Sequence, residues 1–180
     1  MKLSVRLIVI GLVAITILSI GSLRDVSAQS AVNEEQIQRI QDNCSAIKST
    51  LNQLHASDAL LRVNRGQLYD AVATKLMNNF NSRLGNNSLD NKGLIVVTSS
   101  YQTALTAFRN DYQSYEKQLS NVLRIDCSKQ PTDFHAALED ARTKRTKVHG
   151  DVLRLNQYID DYRSAVSDFY INYQRVSGNS

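Results

Sequence analysis

The sequence contains no tryptophan, one proline and two cysteines in 180 residues. With so little proline the backbone has few fixed interruptions, and long continuous elements are expected. Glycine is nearly as scarce: beyond Gly21 only Gly66, Gly85, Gly93, Gly150 and Gly178 occur. Two cysteines without CxxC spacing leave neither a thiol-redox motif nor a zinc cluster. The sequence also lacks HExxH, a Glu-x-x-His pair, a phosphate loop and a dinucleotide fingerprint. His55, His135 and His149 are scattered, and His55, although close to Asp58, has no evident serine partner. No catalytic residue, metal site or cofactor is assigned on these grounds, and the chain is read as non-enzymatic.

What is present begins with an export signal. Lys2 and Arg6 precede an uncharged apolar run, and Val26 and Ala28 stand at the minus-three and minus-one positions of a signal-peptidase site. Cleavage after Ala28 is expected, leaving a mature chain that starts at Gln29. If uncleaved, residues 7–23 approach the length needed to cross the hydrocarbon core and serve as an anchor, the only membrane contact expected. Both alternatives place the remainder outside the cytoplasm, whether secreted, periplasmic or tethered. Residues 1–28 hold three of the 21 basic and one of the 17 acidic residues, so 18 and 16 remain and the charge falls from +4 to +2. A nucleic-acid partner is not expected, because part of the basic excess belongs to the signal and no recognition helix or aromatic platform follows.

Three segments carry apolar residues at alternating steps of three and four, the spacing of a helical stripe. The first, expected as a helix over 34–84, places Ile37, Ile40, Cys44, Ile47, Leu51, Leu54, Asp58, Leu61, Arg65, Leu68 and Val72 on one face. Its phase slips through Leu76, Met77, Phe80 and Leu84, as at a local change of supercoil. A break at Gly66 would give four shorter helices, but ALLRVNR and QLYDAV keep one stripe across it and favour continuity. After the turn-rich GNNSLDNKG, a second helix over 90–127 runs from Leu94 through Tyr101, Phe108 and Tyr115 to Val122. A third over 132–171, with Thr132 or Asp133 as N-cap, runs from Phe134 through Val148 and Leu155 to Phe169. The expected fold is all-α: an elongated up-down-up antiparallel three-helix bundle with coiled-coil-like packing over residues 29–172, with 173–180 as a flexible tail.

That topology brings Cys44 and Cys127 to one end. In an exported chain an intramolecular disulfide is expected, against the rivals of a free pair or an intermolecular bond. It closes a loop of about 80 residues and stabilises by roughly 4 kcal/mol on the chain-entropy account. Counting along each helix from this pin puts Asp58, Arg145 and the neighbourhood of Asp111 at a common height. Asp58, Arg62, Arg65, Asp111 and Arg145 therefore form an expected interior polar layer, with His55 and Tyr112 in reach. Such a layer fixes register by internal pairing; the sharper alternatives are a small-ligand or anion site, or a polar hinge. Gly66 and Gly150 fall at similar heights, either as a close backbone approach or as isolated glycines. Tyr69, Tyr101, Tyr158 and Tyr162 fall in the distal half, as core residues with hydroxyls at the edge or as a binding cage.

The most basic stretch, RTKRTKVH, offers Arg142, Lys144, Arg145, Lys147 and His149 as an anion-facing patch. Arg142, Arg145 and His149 share a broad face, while Lys144 and Lys147 point elsewhere; Glu139, Asp140 and Asp151 bracket the stretch, as on a solvated mixed-charge helix. Asn43-Cys44-Ser45 and Asn86-Asn87-Ser88 match the N-glycosylation pattern, which matters only in a eukaryotic secretory host. The leading expectation is an exported structural or protein-interaction protein whose partner is a protein or a cell-envelope component. The alternatives are a ligand- or anion-binding module that uses the polar layer and a periplasmic chaperone-like binder with an exposed apolar groove.

Overall fold

The structure, a computed structural model, describes residues 33–178, and the signal-peptide and anchor readings lie outside the described residues. Every regular element among the described residues is helical. Helix α1 (Glu34–Asp42) starts under a reciprocal cap, in which Gln36 N–H donates to the Asn33 side chain at 2.8 Å and Asn33 N–H donates to the Gln36 side chain at 3.1 Å. The expected first helix is then interrupted, though at Asn43 rather than Gly66. The Asn43 side-chain amide donates to the Arg39 carbonyl at 2.9 Å, and its ψ of 12° departs from helical geometry. Helix α2 (Cys44–Ala71) runs unbroken through Gly66. A Cβ on Gly66 or Gly150 meets nothing within 4 Å, so neither glycine marks a close backbone approach.

The phase slip read after Val72 is a π turn, Val72–Met77, in which Asn78 N–H donates to Ala73 O. It joins α2 to α3 (Asn78–Asn86) in one continuous run, so the described chain has four helical runs in place of three. One extra residue per turn rotates the following stripe, which brings Met77 and Leu84 into the core and leaves Leu76 exposed. The connection to α4 (Lys92–Arg124) closes with N–H groups of Asn87, Ser88 and Leu89 returned to carbonyls of residues 83–85, and Ser88 sits at φ 56°. Helix α5 (Pro131–Ser177) starts with proline in its first turn, where no N–H is required; Gln130, and neither Thr132 nor Asp133, is the cap residue. It continues to Ser177, past the expected end at 171, so residues 173–177 are helical and not a loose tail. Its 47 residues are about 70 Å long at 1.5 Å per residue.

The core forms two clusters. One gathers Tyr69, Met77, Leu94, Tyr101, Phe108 and Leu155; the other gathers Leu51, Tyr115, Leu119, Val122, Cys127 and Phe134. Val148 packs against both, and α4 against α5 makes the most extensive helix interface. Tyr115, Tyr101 and Thr98 of α4 meet Asp58, Tyr69 and Asn81 in turn, so numbers fall along α4 as they rise along the first run. On α5 they rise together, as Arg145 meets Asp58 and Tyr162 meets Asn81. Cys44 and Cys127, 83 residues apart in sequence, are disulfide-bonded with Cα atoms 5.5 Å apart. This pair is compatible with an extracytoplasmic location. Among the described residues no helix is long and apolar enough to cross a membrane.

Candidate functional site

The centre of the site is a buried carboxylate. Asp58 is 9 % exposed; it accepts from the Tyr115 hydroxyl at 2.6 Å and from Arg145 Nε and Nη2 at 3.2 and 3.4 Å. Its carboxylate thus ties α2, α4 and α5 at one height. Hydrogen bonding to Asp58 holds the Arg145 guanidinium above its ordinary pKa, while burial and then the Asp58 bond push the Tyr115 phenol up. Arg62 takes a different partner: it donates to Glu116 at 2.8 Å and lies 5.3 Å over the Tyr112 ring. Burial, then the negative charges of Glu116 and Asp58, raise the Tyr112 phenol to about 12.

Asp111, expected in the same layer, belongs to a separate cluster on the seam between α4 and α5. It pairs with Lys147 at 2.9 Å and lies close enough to Asp151, which is 4 % exposed, for the two carboxyls to share a proton. With both carboxyls ionised, Oδ2 of Asp151 has no donor; protonated, Asp151 donates to Asp111. The Lys147 hydrogen bond, helped by Asp151, lowers the Asp111 pKa against its burial. Burial first, then the hydrogen bond to Asp111, raises that of Asp151 against the opposing charges of Arg154 and Lys147. The folded protein therefore holds the Asp151 proton more tightly than the unfolded chain. The resulting stability is complete below the unfolded carboxylate value of about 3.9 and is lost as pH rises through the higher folded value. Asp151→Asn keeps a donor toward Asp111 at every pH. Its thermal midpoint should exceed that of the wild type near neutrality and converge on it in acid; a constant difference across the pH series contradicts a shared proton.

A second polar layer, absent from the sequence reading, joins the far half. The Tyr162 hydroxyl donates to Asn81 Oδ1 at 2.8 Å, Asn81 Nδ2 donates to Thr98 Oγ1 at 2.8 Å, and Thr98 donates to Leu94 O at 2.8 Å. The Tyr101 hydroxyl donates to Tyr69 O at 3.0 Å, and the Tyr162 hydroxyl lies 3.3 Å from Met77 O. The buried tyrosines thus serve one carbonyl just before the π turn, that of Tyr69, and that of its last residue, Met77, which accounts for polar tips inside an aromatic core. Burial raises the Tyr162 phenol to about 12.

Between these layers lies a cleft of about 540 Å³. Phe108, Tyr112 and Tyr115 of α4 form its floor; Leu61, Arg62 and Arg65 of α2 form one wall, and Arg142, Arg145, Val148, His149 and Val152 of α5 form the other. No hydrogen bond or ion pair among the described residues links the first run to α5 between the Asp58–Arg145 pair and the Tyr162–Asn81 contact. The middle of the α2 stripe, expected in the core, stays open, with Leu61 47 % and Leu68 59 % exposed. Arg65 and His149 have no hydrogen-bond or ion-pair partner among the described residues. The expected anion-facing patch divides: Arg142, Arg145 and His149 line the cleft, whereas Lys144 pairs with Asp140 and Lys147 with Asp111. Arg142 also pairs with Glu139.

A serine does approach His55, with Ser120 Oγ 3.4 Å from Nε2, but it comes from α4 and sequence spacing gave no sign of it. The neighbouring acid, Asp58, is engaged by Tyr115 and Arg145, and among the described residues no carboxylate bonds His55. No group of three metal-ligating side chains converges among the described residues. Comparison of the chain with family models, curated proteins and solved structures finds no match.

Proposed function

We propose that this chain is a non-enzymatic extracytoplasmic binding module that engages a protein or cell-envelope component through the cleft between α2 and α5. In this reading the three long segments form an up-down-up antiparallel bundle, exported by the N-terminal signal and pinned at one end by the disulfide. The observation that carries it is the open stripe: Leu61, Arg65 and Leu68 repeat with the spacing of core residues and yet stay exposed, Leu61 and Arg65 on the wall of the cleft. Apolar surface patterned for burial and left uncovered marks a contact surface. A chaperone-like role is the second reading, favoured by Leu60, Leu61, Val63 and Leu68, all exposed within about two turns. It differs in needing no cation.

Native mass spectrometry of the protein purified without reductant from its exporting host tests the proposal. The expected species starts at Gln29, has the mass of the internally bonded chain, and carries a bound partner that Leu61→Ser loses. A chain that keeps Met1 overturns the cleaved form, and a partner retained undiminished by Leu61→Ser, or none in either protein, overturns the cleft as the binding surface.

A further inference from the structure

We infer that the cleft takes a linear amphipathic anion, an acyl chain ending in a carboxylate or comparable head, with the head among Arg65, Arg145 and His149. The inference rests on the binding-module reading and names the chemistry of its ligand. Three observations select this class.

The first is charge. Among the described residues Asp58 is the lone acid in the cleft lining, and its oxygens are already engaged by Tyr115 and Arg145. Arg62 is committed to Glu116 and Arg142 to Glu139. After this pairing, among the described residues, Arg65 remains without a counter-ion, His149 without a partner, and Nη1 of Arg145 without a bond to Asp58. Arg145 is half exposed, so its free edge is accessible to an anion. A carboxylate or phosphate matches such donors, and an ammonium is repelled.

The second is the apolar remainder. Leu61, Phe108, Tyr112, Val148 and Val152 line the same cleft, so a small inorganic anion leaves most of its surface uncovered, while an uncharged chain leaves Arg65 unmatched. The third is shape. The walls are helices that run in the same direction, and residues 145 to 152 of one wall span about 10 Å at 1.5 Å per residue. A trough of this form, with its volume of about 540 Å³, lies within the range of small-ligand sites and favours a narrow, extended molecule over a compact one.

Isothermal titration of the disulfide-bonded protein with dodecanoate, acetate, dodecyltrimethylammonium and hexaglutamate tests the inference. Dodecanoate is expected to bind at one site, with affinity reduced about tenfold or more by Arg65→Glu and by Leu61→Ser, and unchanged by Lys117→Glu on α4 outside the cleft. Arg65 and Leu61 are exposed, so these variants should fold, and their melting midpoints verify it. Acetate and the ammonium should give no comparable binding. Equal affinity for the ammonium overturns the anionic head and leaves an apolar-segment binder. Hexaglutamate binding in place of dodecanoate overturns the acyl chain in favour of an acidic peptide, and dodecanoate binding indifferent to both cleft variants, or no binding at all, overturns the assignment. In each of these cases the module reading survives if the native-mass experiment still finds a partner lost with Leu61→Ser, and falls with the inference if it does not.

Discussion

Replacing Cys44 and Cys127 together with alanine is expected to lower the melting midpoint by roughly 10 °C. The bond ties residues 83 positions apart, closing nearly all of α2, the π turn, α3 and α4 into one loop. A loop of that length restricts the unfolded ensemble by about 4 kcal/mol, and about 2 to 4 °C per kcal/mol is usual for domains of this size. Cys127 is fully buried beside Val122 and Phe134, so the loss of packing adds to the loss of the tether. Thermal melts followed by circular dichroism, with the wild type measured oxidised and reduced, check the value. A change below about 3 °C would show that loop closure contributes little, through a compact unfolded state.

Leu155→Ala should cost a comparable amount, about 2 to 5 kcal/mol, by a different route. Leu155 is 0 % exposed in the distal cluster, and its removal leaves a cavity in the folded state without altering the unfolded one. Because the disulfide belongs to the other cluster, the two perturbations are expected to add within about 0.5 kcal/mol in urea titrations. Hydrogen exchange provides a sharper readout. Amides around Tyr101 and Leu155 should lose protection before those around Leu119 and Phe134, since the two form distinct clusters that meet at Val148 and at the Phe108–Tyr112 ring pair. Uniform loss along both halves would mean that the core opens as one unit.

The parts of the molecule legible in the sequence are those fixed by height along a helix. The Cys44–Cys127 bond and the contact of Asp58 with Arg145 follow from counting residues away from the chain reversals. Counting does not set the direction in which a side chain leaves its helix. Asp111 stands within about one turn of the predicted height yet points into the α4–α5 seam, and Arg62 reaches Glu116 instead of Asp58. A stripe likewise announces a face without saying whether another helix closes over it. Leu61 and Leu68 have core spacing, yet both stay exposed on the stretch of the run that lies between its two polar ties to α5. Asn81 had a readable signal: after the slip, Met77, Asn81 and Leu84 follow four-three spacing, whereas Phe80 is the more conspicuous residue. The interruption at Asn43 had none beyond a side chain able to bond its own preceding turn.

The π turn determines where this chain can change length. Removing one residue from Val72–Met77 restores ordinary pitch but turns everything beyond it by about 100° about the helix axis. Asn81 then leaves Thr98 and Tyr162, and Leu84 leaves the core. The same deletion upstream would instead swing Cys44 and Asp58 out of line with their partners. The run from Cys44 to Asn86 thus works as two rulers with different zeros, one read against the disulfide and the other against the bend at Ser88, and the surplus residue is the offset that lets both be read at once.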